Sequence, residues 1–329
     1  MKYESERKVA IDAVLKAGRL CQAVQARLVA GTTLTKGDRS PVTVADFGAQ
    51  AIVSHLLAAA FPADPLVGEE DADALREEAN VALKDKVLEA VRGFLPALTG
   101  AEVLAEIDRG THAGGPSGRH WTLDPIDGTK GFLRQDQYAV ALGLIEDGEV
   151  VLGVLGCPNL PIDADNPEAG SGCLFIGVKG QGAFMRTFDD ATEQPVSVTD
   201  VDDVAAARFC ESVEKAHSSQ SHSALIATML GITLPAFRID SQCKYAAVAR
   251  GDASIYLRLP TRKDYVEKIW DHAAGWRVIV EAGGTVTDVY GAPLDFSIGR
   301  GLSSNKGVIV TNSRLHVPVL EAVAAVLDL

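Results

Sequence analysis

The chain reads as an α/β protein of two units, an α+β N-terminal unit over residues 1–195 and an α/β C-terminal unit over residues 196–329. Three observations predict this. Long helical patterns give way after residue 120 to apolar runs joined by turn dipeptides, the pattern of an antiparallel sheet carrying helices. From about Pro195 the rhythm changes to short strands alternating with helices, the pattern of an α/β layer. Acidic clusters fall at the ends of elements, where side chains from separate segments can meet in a cleft.

Taken in order, residues 5–29 predict one amphipathic helix, with Val9, Ala13, Leu20 and Val24 in helical spacing and Ile11 and Leu15 widening the stripe. The polar stretch 32–39 reads as a loop or edge hairpin. Thr43-Val-Ala-Asp46 has capping-box spacing and introduces a second helix through Ala60. Leu66-Val67 is a short strand running into Gly68-Glu69-Glu70-Asp71, and two further helices precede residue 100. Gly110 to Gly118 is glycine-rich and reads as a mobile surface loop. Tyr138–Ile145 and Val150–Gly156 form a hairpin across Asp147-Gly148, and Leu174–Val178 and Ala183–Arg186 a second one. Further on, 206–210, 236–239, 253–257 and 308–310 read as strands, and 221–230, 243–249, 271–282 and 314–327 as helices.

The most informative stretch is Trp121 to Arg134, W-T-L-D-P-I-D-G-T-K-G-F-L-R. It reads as a buried strand that Pro125 stops, a tight turn at Gly128, and a helical turn opened by Thr129. Asp124 and Asp127 can then aim at one point, where a hard cation such as magnesium would find the oxygen ligands it prefers. Helix-start amides beside them offer an anion a seat. Taken singly, the other acidic residues have plainer readings: Glu69 to Asp71 as the acidic first turn of a helix, Asp271 as an N-cap, Asp46 as part of a capping box. Two aspartates, proline, glycine and threonine in that order exceed what a turn needs.

Bulk properties narrow the class. The 329 residues are 47% hydrophobic and 23% charged, with a formal net charge of −13. Nucleic acid and anionic membranes attract basic proteins, so neither is an expected partner. A phosphorylated small molecule is compatible, because bound magnesium supplies positive charge locally. The most apolar early run, Ala51 to Phe61, is too short and polar to span a bilayer. Five cysteines, at 21, 157, 173, 210 and 243, form no C-x-x-C pair. They read as buried apolar residues of a reduced, cytoplasmic compartment, and no apolar signal core follows the start. Nothing sets the oligomeric state, and a monomer suffices.

V-G-E-E-D, W-T-L-D-P-I-D-G-T-K-G-F and W-D-H-A-A-G-W, in that order, resemble the inositol monophosphatase superfamily of magnesium-dependent, lithium-sensitive phosphomonoesterases. Where its monophosphatases usually read G-T-x-N-F, this chain has Gly128-Thr129-Lys130-Gly131-Phe132. That variant, with F-C-E-S-V-E-K-A-H-S-S, R-I-D-S-Q-C-K-Y and I-Y-L-R-L-P, resembles the 3′(2′),5′-bisphosphate nucleotidase branch. The resemblance implies a layered α-β-α-β-α sugar-phosphatase fold with the site between the units. It implies two or three Mg²⁺ held by Glu69, Asp124, Asp127, Asp271 and the backbone carbonyl of Ile126. Asp46 and Thr129 would together activate the attacking water. Gly128, Thr129, His217, Ser241, Lys244, Arg258 and Asp271 would contact substrate, with no organic cofactor. The implied reaction is hydrolysis of adenosine 3′,5′-bisphosphate to AMP, with its sulfated analogue and inositol 1,4-bisphosphate as further substrates. Two alternatives stay open: an inositol phosphatase, and a nucleotide sensor that binds without cleaving.

Overall fold

The computed structural model describes residues 2–26, 34–35, 41–42, 44–213, 220–262 and 264–329. Thr43, most of 32–39 and His217 lie outside the described residues. Helix α1 (Glu4–Gln25) is followed by a short antiparallel pair, β1 (Leu34–Thr35) and β2 (Pro41–Val42), and by α2 (Val44–Ala60). Strand β3 (Leu66–Gly68) leads to α3 (Asp73–Arg76), α4 (Val81–Arg92) and α5 (Gly100–Asp108). Then come β4 (Arg119–Asp127), α6 (Thr129–Arg134), β5 (Ala139–Glu146), β6 (Glu149–Pro161), β7 (Ser171–Val178), β8 (Gly182–Thr187) and β9 (Gln194–Val196). Strands β3 to β9 make one seven-stranded sheet in sequence order, antiparallel except for the parallel pair β3–β4.

The second sheet is built from β10 (Phe209–Glu211), β11 (Phe237–Arg238), β12 (Ile255–Arg258), β13 (Thr285–Thr287) and β14 (Val308–Thr311), in the order β11-β10-β12-β14-β13. Its helices are α7 (Gln220–Met229), α8 (Cys243–Arg250), α9 (Ala273–Glu281) and α10 (His316–Leu327). Five layers result. Helices α1 and α2 cover one face of the first sheet, and α8 and α9 lie between the two sheets. Helices α7 and α10 pack together beyond the second sheet, with α10 against β14. Three apolar cores fill the gaps, the middle one combining residues of β5–β8 with α8 and α9.

Helix α9 sits unusually close to the first sheet, and glycine is the reason. Gly143, Gly153 and Gly177 are register partners across β5, β6 and β7, so they form a groove. An added Cβ would overlap the Ala274 carbonyl oxygen at Gly153 and lie 2.8 Å from the Val278 Cα at Gly177. The groove therefore fixes the height of α9, and with it Asp271, two residues before the helix.

The hairpin at Asp147-Gly148 forms as read, Glu146 facing Glu149 and both loop residues at positive φ (50° and 80°). Other boundaries differ from the sequence reading. Pro125 does not stop β4; the strand runs on to Asp127. Asp124 pairs with Ala141 and Asp127 with Ala139, so Pro125 and Ile126 bulge opposite Val140, and a residue without an N–H breaks no ladder there. Helix α5 was not anticipated, although its capping box is plain: Glu102 N donates to Thr99 Oγ1 (3.3 Å) and Thr99 N to Glu102 Oε2 (2.8 Å). Strand β13, three residues long, was also missed. Asp271 is not an N-cap; it closes a 3-10 turn over Ile269–Asp271, and His272 occupies the capping position of α9.

Candidate active site

The bulge in β4 decides where the acidic side chains go. Strand side chains alternate, so residues three apart normally face opposite sides. Trp121 and Leu123 point into the core under α1 and α2, and Ile126 does too, a step of three that the bulge permits. Asp124 and Asp127 therefore share the other side, toward the second sheet. Asp127 accepts a hydrogen bond there from the backbone N–H of Gln242, at the start of α8.

Asp124 is 2% exposed, and its buried Oδ1 has no hydrogen-bond partner among the described residues. Burial pushes its pKa well above the usual carboxylate range, and the charges of Glu69, Asp127, Asp271 and Asp46 push it the same way. Five carboxylates from four separate segments thus act on one another. Glu69 follows β3, where its N–H donates to the Leu123 carbonyl (3.2 Å). Asp46 is buried in the first turn of α2. Asp271 is raised to about 7 by burial, with Arg258 opposing the shift and Asp127 adding to it. The predicted ligands do not crowd one point. Among the described residues, only Glu267, Asp271 and His272 bring three ligand atoms within 4.8 Å of one another.

Asp127, Gly128, Lys130, Ser241, Lys244, Arg258 and Asp271 line one cleft. Gly128 has φ 90°, and an added Cβ would lie 2.8 Å from the Ser241 Cβ. Ser241 itself holds φ 65°, and its hydroxyl accepts the Cys243 N–H (3.1 Å). Lys244 is 5% exposed and lies over the Tyr256 ring at 5.3 Å; burial lowers its pKa, and Asp127 opposes this. Among the described residues no carboxylate forms an ion pair with it. Arg258 Nη2 reaches Glu267 (2.8 Å) and Asp271 (3.3 Å). The Thr129 hydroxyl donates to the Ile126 carbonyl (3.3 Å) and not to Asp46, so the expected Asp46–Thr129 pair is not formed as a hydrogen bond.

The profile of the inositol monophosphatase family matches residues 2–327. The chain belongs to the inositol monophosphatase family. It is 48% identical to a 3′(2′),5′-bisphosphate nucleotidase of Emericella nidulans over 100% of both chains. It is 46% identical to one of Schizosaccharomyces pombe, covering 99% of this chain and 97% of the relative. An IMPase of Thermotoga maritima has the same fold at TM-score 0.67 and 21% identity, covering 97% of this chain and 96% of that one. An inositol monophosphatase of Anabaena matches at TM-score 0.63 and 20% identity, covering 99% and 97%.

In this inositol monophosphatase-family chain several site residues escaped the sequence reading. Gln242 joins the motifs: besides its backbone bond to Asp127, its Nε2 donates to Trp270 O (2.9 Å) and its Oε1 accepts Gly275 N–H (3.1 Å). Buried Gln50 donates to the carbonyls of Glu70 (2.6 Å) and Ile107 (2.7 Å) and accepts Glu70 N–H (3.0 Å), which fixes the loop carrying Glu69. Its place four residues after Asp46, one turn along the same helix, was the available signal. Arg300 donates to Gly68 O (2.6 Å), Gly110 O (3.0 Å) and His112 O (3.0 Å), binding the acidic loop and the glycine-rich segment to the far end of the chain. Asp240 accepts Ser212 Oγ–H and Val213 N–H (both 3.0 Å) and pairs with Arg134 of α6. Gly131 is a packing requirement: an added Cβ would overlap the Gln137 carbonyl oxygen.

Proposed function

We propose that the chain is a magnesium-dependent phosphomonoesterase that hydrolyses adenosine 3′,5′-bisphosphate to AMP and phosphate. The carrying observation is the buried Asp124 oxygen, without a hydrogen-bond partner among the described residues and set among four further carboxylates, beside a cleft lined by Lys244 and Arg258. A carboxylate left so is costly unless a cation joins it, so the donor set fits a hard divalent metal. The family is magnesium-dependent in general. Glu69, Asp124, Asp127, Asp271 and the Ile126 carbonyl would hold the metal; their spread suits two or three ions rather than one. Bound magnesium supplies charge neutralisation for the phosphoryl group and a more acidic water.

The protein's own groups do the rest. Asp46 accepts the proton of the attacking water through Thr129, whose hydroxyl would have to leave the Ile126 carbonyl to do so. Gly128 gives the phosphate room against the backbone. Lys244, Arg258 and Ser241 hold the nucleoside and its second phosphate, since a doubly phosphorylated ligand needs cations besides the metals. His217 joins them in this reading from outside the described residues. The names of the relatives support the substrate. The same groups can accept the sulfated analogue and inositol 1,4-bisphosphate. We read residues 1–195 as the metal-binding domain, 196–329 as the nucleotide-contacting one, and the enzyme as cytoplasmic, monomeric and inhibited by lithium. Among the described residues no helix is long and apolar enough to cross a membrane.

Phosphate release decides the matter. Turnover of adenosine 3′,5′-bisphosphate should need Mg²⁺ and exceed that of inositol 1-phosphate. The reverse preference would make the chain an inositol phosphatase, and tight binding without release a sensor. In the same assay Asp46→Ala should lose about 10²–10⁴-fold in kcat with nucleotide affinity kept; a normal rate would remove Asp46 from the mechanism.

A further inference from the structure

Behind the cleft, four side chains form a continuous polar chain that ends on Asp271. Tyr245 OH lies 2.8 Å from His272 Nδ1, and His272 Nε2 lies 3.1 Å from Glu267 Oε2. The same Glu267 oxygen is 2.8 Å from Arg258 Nη2, which is 3.3 Å from Asp271 Oδ2. A carboxylate can only accept, so His272 donates from Nε2, and its Nδ1 shares the other hydrogen bond with the Tyr245 hydroxyl. Tyr245 and His272 are buried at 1% and 0% exposure, and Glu267 at 6%, so these partners have no water to replace them. Glu267, Asp271 and His272 have the composition of a cation site, but the guanidinium of Arg258 already supplies its charge.

The geometry has a consequence for the metal. Arg258 and a divalent cation compete for the carboxylate of Asp271. With Asp271 as its only anionic partner, Arg258 would close on it and neutralise it. Glu267 offers Arg258 a nearer carboxylate, 2.8 Å against 3.3 Å. We propose that Glu267 is a positioning residue that draws Arg258 away from Asp271 and so keeps Asp271 available to the divalent ion. His272 holds Glu267 in place, and Tyr245 holds the His272 ring. This rests on the reading of Asp271 as a metal ligand, developed above.

The test is calorimetric Mn²⁺ binding to the full chain without nucleotide, so it does not depend on which substrate is turned over. Glu267→Gln keeps the shape and removes the charge. It should weaken Mn²⁺ binding about 10-fold, within the usual range of coupling between sites. In an Arg258→Ala background the same change should alter affinity less than about twofold, because no guanidinium is left to move onto Asp271. A general loss of negative potential would instead weaken binding equally in both backgrounds, and that result overturns the proposal, as does unchanged affinity in Glu267→Gln alone. Should Glu267→Gln fail to fold, Tyr245→Phe removes only the hydroxyl that fixes His272. It should shift affinity in the same direction by a smaller factor, again only when Arg258 is present; no shift overturns the proposal. Asp271→Asn with parental Mn²⁺ affinity would remove its premise. A preserved Glu267 effect in a protein that does not cleave the bisphosphate would leave this inference standing and defeat the substrate assignment.

Discussion

The backbone N–H of Gln242 donates to the carboxylate of Asp127, joining the start of α8 to the end of β4 across 115 residues of sequence. The Gln242 side chain extends the link to Trp270 and Gly275, on either side of Asp271. One residue thus sets the spacing between two acidic segments that a phosphoryl group would have to bridge.

Gln242→Ala should therefore act on stability and on turnover. It strips partners from the buried Trp270 carbonyl and Gly275 amide, a loss of about 2–4 kcal/mol. Urea unfolding should report that fall, and kcat should drop in the folded protein because the segment around Asp271 loses its tie to residue 242, whose backbone N–H still holds Asp127. Parental stability would mean that water replaces the glutamine without loss.

Lys244→Ala should weaken bisphosphate binding more than monophosphate binding. The ammonium is buried on the Tyr256 ring and among the described residues has no carboxylate partner, so its charge is available to a ligand. KM values for the two substrate types check this. Equal losses would contradict its assignment to the second phosphate.

Gly131→Asn would give this chain the G-T-x-N-F pattern in place of G-T-K-G-F. Here it should destabilise the chain by about 1–3 kcal/mol or displace the 135–137 turn, because its Cβ meets backbone at Gln137. A thermal melt unchanged from the parent would show that this turn yields freely.

His120 gives a pH prediction. It is 1% exposed on β4, its Nε2 has no hydrogen-bond partner among the described residues, and burial, then the nearby His112, lowers its pKa from 6.5 to about 4. The unfolded chain thus takes up this proton first, so stability falls as pH drops from 6.5 to 4, by on the order of 3 kcal/mol. His120→Phe should flatten that part of the stability profile. Identical profiles for parent and variant would exclude His120 as its source.

What could be read from the sequence was local. The Asp147-Gly148 turn follows from two residues that tolerate positive φ. The β5–β8 hairpins follow from alternation and turn spacing, and the acidic motif from its own composition. What could not be read was set by distant partners. Arg300 matters through carbonyls 188–232 residues away, and Gln242 and Glu267 through side chains brought near only by packing. Pro125 was read as a stop because its permissive setting, the bulge opposite Val140, belongs to the neighbouring strand. The capping box at Thr99 was legible and simply not used.

Among the described residues, strands β3 and β4 are the only parallel neighbours in the first sheet. Parallel neighbours cannot be joined by a tight turn; the chain must travel back to the starting end. Residues 69–118, with α3, α4 and α5, make that return journey. Their length is what delivers Glu69 and Asp124 to the same rim. Replaced by a two-residue hairpin, the segment would force β3 to run the other way and carry Glu69 to the opposite end of the sheet, out of reach of any shared ion. Past Glu69-Glu70-Asp71, a stretch to which no site residue is assigned thus acts as the spacer that the proposed chemistry requires.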